Sequence, residues 1–87
     1  MEIAELTEAE AHVIGHSLGI NQTGREFRNH FVAEPGHDDY ETLLELVRRN
    51  LMSRRTYALA PDCFVFHVTD AGRAALRARS TGHARPE

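Results

Sequence analysis

The sequence predicts an α+β domain: three N-terminal helices, a β-hairpin and a C-terminal helix. Three segments carry this expectation. Thr7-Glu8-Ala9-Glu10 has the reciprocal spacing of a capping box and opens an apolar run. Leu43 to Met52 repeats apolar residues at the helical period. Thr56 to Val68 is rich in β-formers, and Thr69-Asp70-Ala71-Gly72 then starts a small-residue helix that reaches Leu76.

Helix one is expected over about residues 8–18, with Val13, Ile14 and Leu18 on one face and Gly19 as its stop. Gly15 weakens that helix and marks a close neighbour. Asn21-Gln22-Thr23-Gly24 is turn chemistry. Phe27 and Phe31 stand at i, i+4 spacing, which predicts a short second helix burying both rings before Pro35-Gly36 breaks it. Asp38 and Glu41 have the spacing of a second capping box, so helix three is expected to start there and end near Met52. Its wheel places Tyr40, Leu43, Leu44, Val47 and Leu51 inward, Leu46 at the flank, and Glu41, Glu45, Arg48 and Arg49 outward. Strands are expected at Thr56–Ala60 and Cys63–Val68, joined at Pro61-Asp62. Alternation then puts Phe64, Phe66 and Val68 on the inner face and Cys63, Val65 and His67 on the outer one. The expected core is Leu18, Phe31, Leu43, Leu44, Val47, Leu51, Phe64, Phe66, Val68 and Leu76. A glycine in the first turn of a helix weakens it unless it is needed, so Gly72 is expected to pack closely against a neighbour.

Eighty-seven residues suffice for one domain with a modest core. The domain is assigned to residues 1–79 and a flexible polar tail to residues 80–87. No apolar run approaches the roughly 20 residues of a membrane span. The acidic start Met1-Glu2-Ile3-Ala4-Glu5 lacks an apolar signal core, and the single cysteine, Cys63, has no internal disulfide partner. A cytoplasmic location is therefore expected. All ten basic residues are arginine, and the net charge is −3. Residues 1–45 carry ten carboxylates against Arg25 and Arg28, a balance of −8. Residues 46–87 carry eight arginines against Asp62, Asp70 and Glu87, a balance of +5. The chain is electrically two-sided.

Leu46-Val47-Arg48-Arg49-Asn50-Leu51-Met52-Ser53-Arg54 resembles a recognition helix running into a wing, and Phe66 through Leu76 resembles the strand and helix that follow. On these residues the chain is similar, over about residues 38–77, to winged-helix proteins of the MarR and PadR groups. The resemblance implies a winged-helix-like α+β fold with the hairpin as wing. Phe27-Arg28-Asn29-His30-Phe31-Val32, with Asp38-Asp39-Tyr40, is also similar to small uncharacterised proteins of phages and prophages, which implies no particular activity.

A winged helix normally sets the start of its third helix in the major groove. Here those positions are Asp38, Asp39, Glu41, Thr42 and Glu45, and their carboxylates oppose the phosphate attraction on which DNA affinity rests. Arg48, Arg49, Arg54 and Arg55 cluster at the helix end and wing root, where they either hold phosphate or simply favour the helix terminus. Two readings follow. One is a regulatory or accessory module, monomer or homodimer, that binds a protein partner and duplex DNA only weakly. The other is a transcriptional regulator that binds double-stranded DNA. Both draw on Asp38, Asp39, Glu41, Glu45, Arg48, Arg49, Arg54 and Arg55.

Six histidines raise the question of metal. His12 and His16 stand at i, i+4, but the zincin glutamate is missing because Val13 follows His12. Cys63 with His67, and His37-Asp38-Asp39, add donors without a defined ligand set, so no metal or cofactor is expected. No nucleophile–base pair, phosphate-cradling glycine loop or dinucleotide fingerprint is present, and enzymatic activity is not expected.

Overall fold

The computed structural model describes residues 4–84. Among them the order is α1 (Glu8–Leu18), α2 (Ile20–Thr23), β1 (Phe31–Ala33), α3 (Tyr40–Arg48), β2 (Met52–Thr56), β3 (Phe64–Val68) and α4 (Asp70–Ala84). The strands form one antiparallel sheet in the order β1-β3-β2. The chain is thus mixed α+β, with four helices and a small three-stranded sheet among the described residues.

Helix α1 keeps its expected bounds because both ends are chemically specified. Thr7 Oγ1 accepts from the Glu10 amide at 3.1 Å, and Glu10 Oε1 accepts from the Thr7 amide at 2.9 Å. Gly19, at φ +84°, ends the helix in the left-handed region that glycine enters without strain. The close neighbour expected at Gly15 is Asn21, whose Nδ2 donates to the His12 carbonyl at 3.0 Å.

The second helix is not where the phenylalanine spacing put it. It is the single turn Ile20–Thr23, and residues 25–30 are irregular. Their amides bond backwards: Phe27 and Arg28 donate to the Leu18 carbonyl at 3.0 and 3.2 Å, and His30 donates to the Ser17 carbonyl at 3.0 Å. Carbonyls left free at the end of α1 replace the bonds a helix would make with itself. Phe31 therefore enters β1 and the core, whereas Phe27 stays 55% exposed.

Helix α3 is shorter than expected at both ends. The Asp38–Glu41 capping box does not form; Asp39 is the N-cap with no side-chain bond, and its amide donates to His37 Nδ1 at 3.0 Å. At the other end Asn50 adopts φ +62°. The Leu51 amide then bonds the Leu46 carbonyl and the Asn50 amide the Val47 carbonyl, the paired bonds of a Schellman stop with asparagine in glycine's place. Leu46 is fully buried rather than flanking, while Leu44 and Val47 are half-buried.

That early stop moves the hairpin. The first strand is Met52–Thr56, not Thr56–Ala60, so Arg54 and Arg55 lie within it and Tyr57–Cys63 form the turn. The register pairs Met52 with Val68 and Thr56 with Phe64, and β1 adds Phe31 opposite Phe66. Phe66 and Val68 face the core as expected, with Phe64 partly buried beside them. Leu18, Phe31, Leu43 and Leu51 join them, and Leu76 packs at the margin. The core also includes Leu6, Val13, Ile14, Ala33, Tyr40, Leu46, Met52 and Ala75, which lie outside the expected set.

Helix α4 begins at a polar clamp. Thr69 Oγ1 accepts from the Gly72 amide at 3.1 Å and donates to the Asn50 carbonyl at 2.9 Å, while the Thr69 amide donates to the Leu51 carbonyl. Gly72 packs against that same carbonyl and Val68, the close approach expected of it. The helix continues across residues 80–84, where a tail was expected; residues 85–87 of that assigned tail lie outside the described residues.

Candidate binding surface

The expected site residues separate into distinct environments. Asp38, in the turn before α3, and Glu41, in its first turn, are exposed, and Asp39 is half-buried at the N-cap. Glu45 and Arg48 satisfy each other: Arg48 donates to Glu45 through Nε at 3.0 Å and Nη2 at 2.6 Å. The pairing holds the Glu45 carboxyl below its usual range, first through the hydrogen bond and then through the arginine's charge.

Arg49 points elsewhere. Its guanidinium donates to Glu10 Oε1 at 3.0 Å and to the Glu5 carbonyl at 2.5 Å, tying the end of α3 to the start of α1. The expected four-arginine cluster is thereby divided. Sequence periodicity places Arg49 on an outer face, but the Schellman stop turns that end of the helix onto α1, where Glu10 is only 6% exposed.

Arg54 and Arg55 emerge on opposite faces of β2, as alternation requires. Arg54 covers the Phe64 ring at 4.7 Å from its centroid and reaches the Tyr40 hydroxyl at 3.5 Å. Arg55 lies opposite Val65, which lies opposite Val32, so the three form one row across the outer sheet face. Val32 is 36% exposed there, and Leu59 at the hairpin turn is 83% exposed. Cys63 stands at the same end, 3.8 Å from Glu34. Desolvation, and then the charge of Glu34, push its thiol above the ordinary range, which keeps it protonated at neutral pH.

Other arginines are also engaged internally. Arg73 pairs with Glu26 at 2.8 Å and Asp70 at 3.3 Å, Arg28 donates twice to the His16 carbonyl, and Arg79 donates to the Leu6 carbonyl. Among the described residues no group of three or more His, Cys, Asp or Glu side chains gathers to hold an ion. No described helix is long and apolar enough to cross a membrane. Comparison of the chain with known protein families, curated proteins and solved structures gives no match.

His16 and Glu26 contribute to the expected response to acid, and Glu45, paired with Arg48, adds to the lower stage. His16 is held below its ordinary 6.5, chiefly by desolvation and then by the charges of Arg28, His12 and His30, with Asp39 acting in the opposite sense. The unfolded chain therefore takes up this proton more readily, and stability falls as pH drops below about 6.5. Glu26 is held below 4.5 by its bond to Arg73, and its contribution, present above 4.5, is lost as pH falls further. Melting temperature measured from pH 8 to pH 3 should fall in two stages. His16→Gln should remove the upper stage and Glu26→Gln should diminish the lower one; a wild-type profile flat between pH 7 and 5 would contradict the account of His16.

Proposed function

We propose that this chain is a winged-helix-like, non-enzymatic module that acts by protein–protein interaction, docking through the outer face and tip of its β2–β3 hairpin. The observation that carries this reading is the outer-face row of exposed Val32, half-buried Val65 and exposed Arg55, on a sheet whose hairpin turn carries the exposed Leu59. Apolar side chains flanked by one arginine suit a protein surface better than a phosphate backbone, because arginine and apolar groups are what the buried centres of protein interfaces favour. The run β1, α3, β2, β3, with all three strands in one antiparallel sheet, supports the winged-helix-like part of the reading.

The same geometry weighs against DNA as the main ligand. A recognition helix is normally preceded by a supporting helix and a tight turn. Here β1 and the Pro35-Gly36 turn precede α3, and α2 is a single turn placed before β1. Arg48, Arg49 and Arg54 already have partners, and exposed Asp38 and Glu41 stand at the start of α3.

The test is a titration of random and palindromic duplexes at about 50 mM salt, where charges interact over roughly 10 to 15 Å. Dissociation constants no tighter than about 10 μM, little changed by Arg54→Ala with Arg55→Ala, are expected. Submicromolar, salt-sensitive binding lost in that double variant would replace the protein-partner reading with duplex recognition.

A further inference from the structure

A polar cleft of about 340 Å³ opens between the last turn of α1, the 25–30 segment, β1 and the turn before α3. Its wall brings together His16, Arg28, His30, His37 and Gln22 around Phe31 and Val32, and among the described residues no carboxylate lines it. These side chains come from separate parts of the chain, and several are held in place. The Phe31 ring is flanked by two imidazoles, His16 at 5.1 Å and His37 at 5.5 Å between centroids, both edge-on. His37 Nδ1 accepts from the Asp39 amide at 3.0 Å, so the proton of its neutral ring sits on Nε2. Arg28 is fixed by two bonds to the His16 carbonyl, from Nε at 3.2 Å and Nη2 at 2.7 Å, while Nη1 makes no protein hydrogen bond among the described residues.

A wall with one fixed guanidinium, three imidazoles and an amide is rich in donors and positive charge. It is a poor cation site, because Arg28 repels a metal ion and, among the described residues, no set of three metal-ligating side chains is placed to hold one. It suits an oxyanion, which accepts several hydrogen bonds and is held most strongly by a charged donor. We propose that this cleft binds a small oxyanion, tetrahedral or carboxylate, with Arg28 as its charge partner and His30, His37 Nε2 and Gln22 as hydrogen-bond donors. The anion also interacts with His16. The groups that face His16 are Arg28, His12 and His30, which oppose its protonation, and Asp39, which favours it. A bound anion adds negative charge to that balance, so protonation of His16 and anion binding reinforce each other. The cleft adjoins the outer sheet face at Val32, which lines both, but none of its proposed anion-binding side chains belongs to the hairpin surface.

Sulfate is the first probe, since its charge is constant across the relevant pH range, and acetate is the second, to separate a tetrahedral dianion from a carboxylate. Histidine ring resonances are followed by NMR in the full chain at fixed ionic strength, with chloride as the balancing ion. Saturable shifts of His16, His30 and His37 at millimolar sulfate are expected, with affinity rising about threefold or more between pH 8 and pH 6. Arg28→Gln should weaken binding about tenfold, as loss of a charge-assisted bond does. His37→Asn, in an exposed turn, should weaken it severalfold and serves if the arginine variant does not fold. Shifts that never saturate, that persist unchanged in both variants, or that chloride reproduces would overturn the proposal. So would saturable binding of zinc by the same histidines with neither anion bound.

Discussion

Gly72→Ala is expected to lower the midpoint of thermal unfolding by about 10 to 20 °C. A Cβ at this position would overlap the Leu51 carbonyl oxygen and stand 2.8 Å from Val68 Cγ1. The carbonyl cannot retreat, because it accepts the Thr69 amide at 3.1 Å, and Thr69 also holds the Asn50 carbonyl. Overpacking of this kind costs about 2 to 3 kcal/mol, a larger effect than the gain in helix propensity from alanine. At about 4 to 8 °C per kcal/mol for a domain of this size, the loss is measurable by calorimetry. Gly24→Ala is the matched comparison: nothing lies within 4 Å of its Cβ position, and only its φ of +84° is strained. That variant should lose about 1 kcal/mol. Equal losses in the two variants would mean that the contact with Leu51 contributes nothing.

Glu10→Ala should be nearly as damaging, at about 2 to 3 kcal/mol, because one substitution removes two functions. Glu10 Oε1 completes the capping box and also receives Arg49 from the end of α3. Its loss leaves the Thr7 amide without its partner and the half-buried guanidinium without its countercharge. Glu10→Gln keeps an acceptor for the cap and should recover part of the loss. Combined with Arg49→Ala in a double-mutant cycle, chemical denaturation should give a coupling of about 1 kcal/mol or more. Independent effects of the two changes would return Arg49 to the solvent-facing role that its position on the helical wheel suggests.

The elements with local chemical stops were the legible ones. Thr7, Glu10 and Gly19 define α1 within four-residue windows, and the alternation of Phe64, Phe66 and Val68 defines the face of β3. Residues 25–30 were not legible, since the i, i+4 spacing of Phe27 and Phe31 looks helical until the free carbonyls of Ser17 and Leu18 are known to lie within reach. The end of α3 was missed for a related reason. Asparagine at a left-handed stop is a weak signal beside the apolar repeat running through Leu51, and the displaced hairpin follows from that single residue. Of the binding surface, Arg55 was legible as an exposed charge. Its alignment with Val32 and Val65 was not, because Val32 belongs to a strand that the spacing did not predict. The histidine cleft shares that origin: His16 was visible as a candidate donor and His37 beside Asp38 and Asp39, but β1 and the 25–30 segment bring them to one wall.

Asn29 closes one end of the sheet by imitating a strand: its side chain donates to the Val68 carbonyl at 3.0 Å and accepts the Val68 amide at 2.7 Å. These bonds join residues 39 apart in the chain, whereas β2 and β3 meet through the short Tyr57–Cys63 turn. Loop closure therefore favours early assembly of the hairpin, and the 25–33 segment joins it only when a much longer loop has closed. In reverse, partial opening of the native molecule is expected to begin by releasing that segment while the β2–β3 hairpin stays paired. Two lifetimes result, a longer one for the hairpin and a shorter one for the wall of the cleft that Arg28 and His30 help to form.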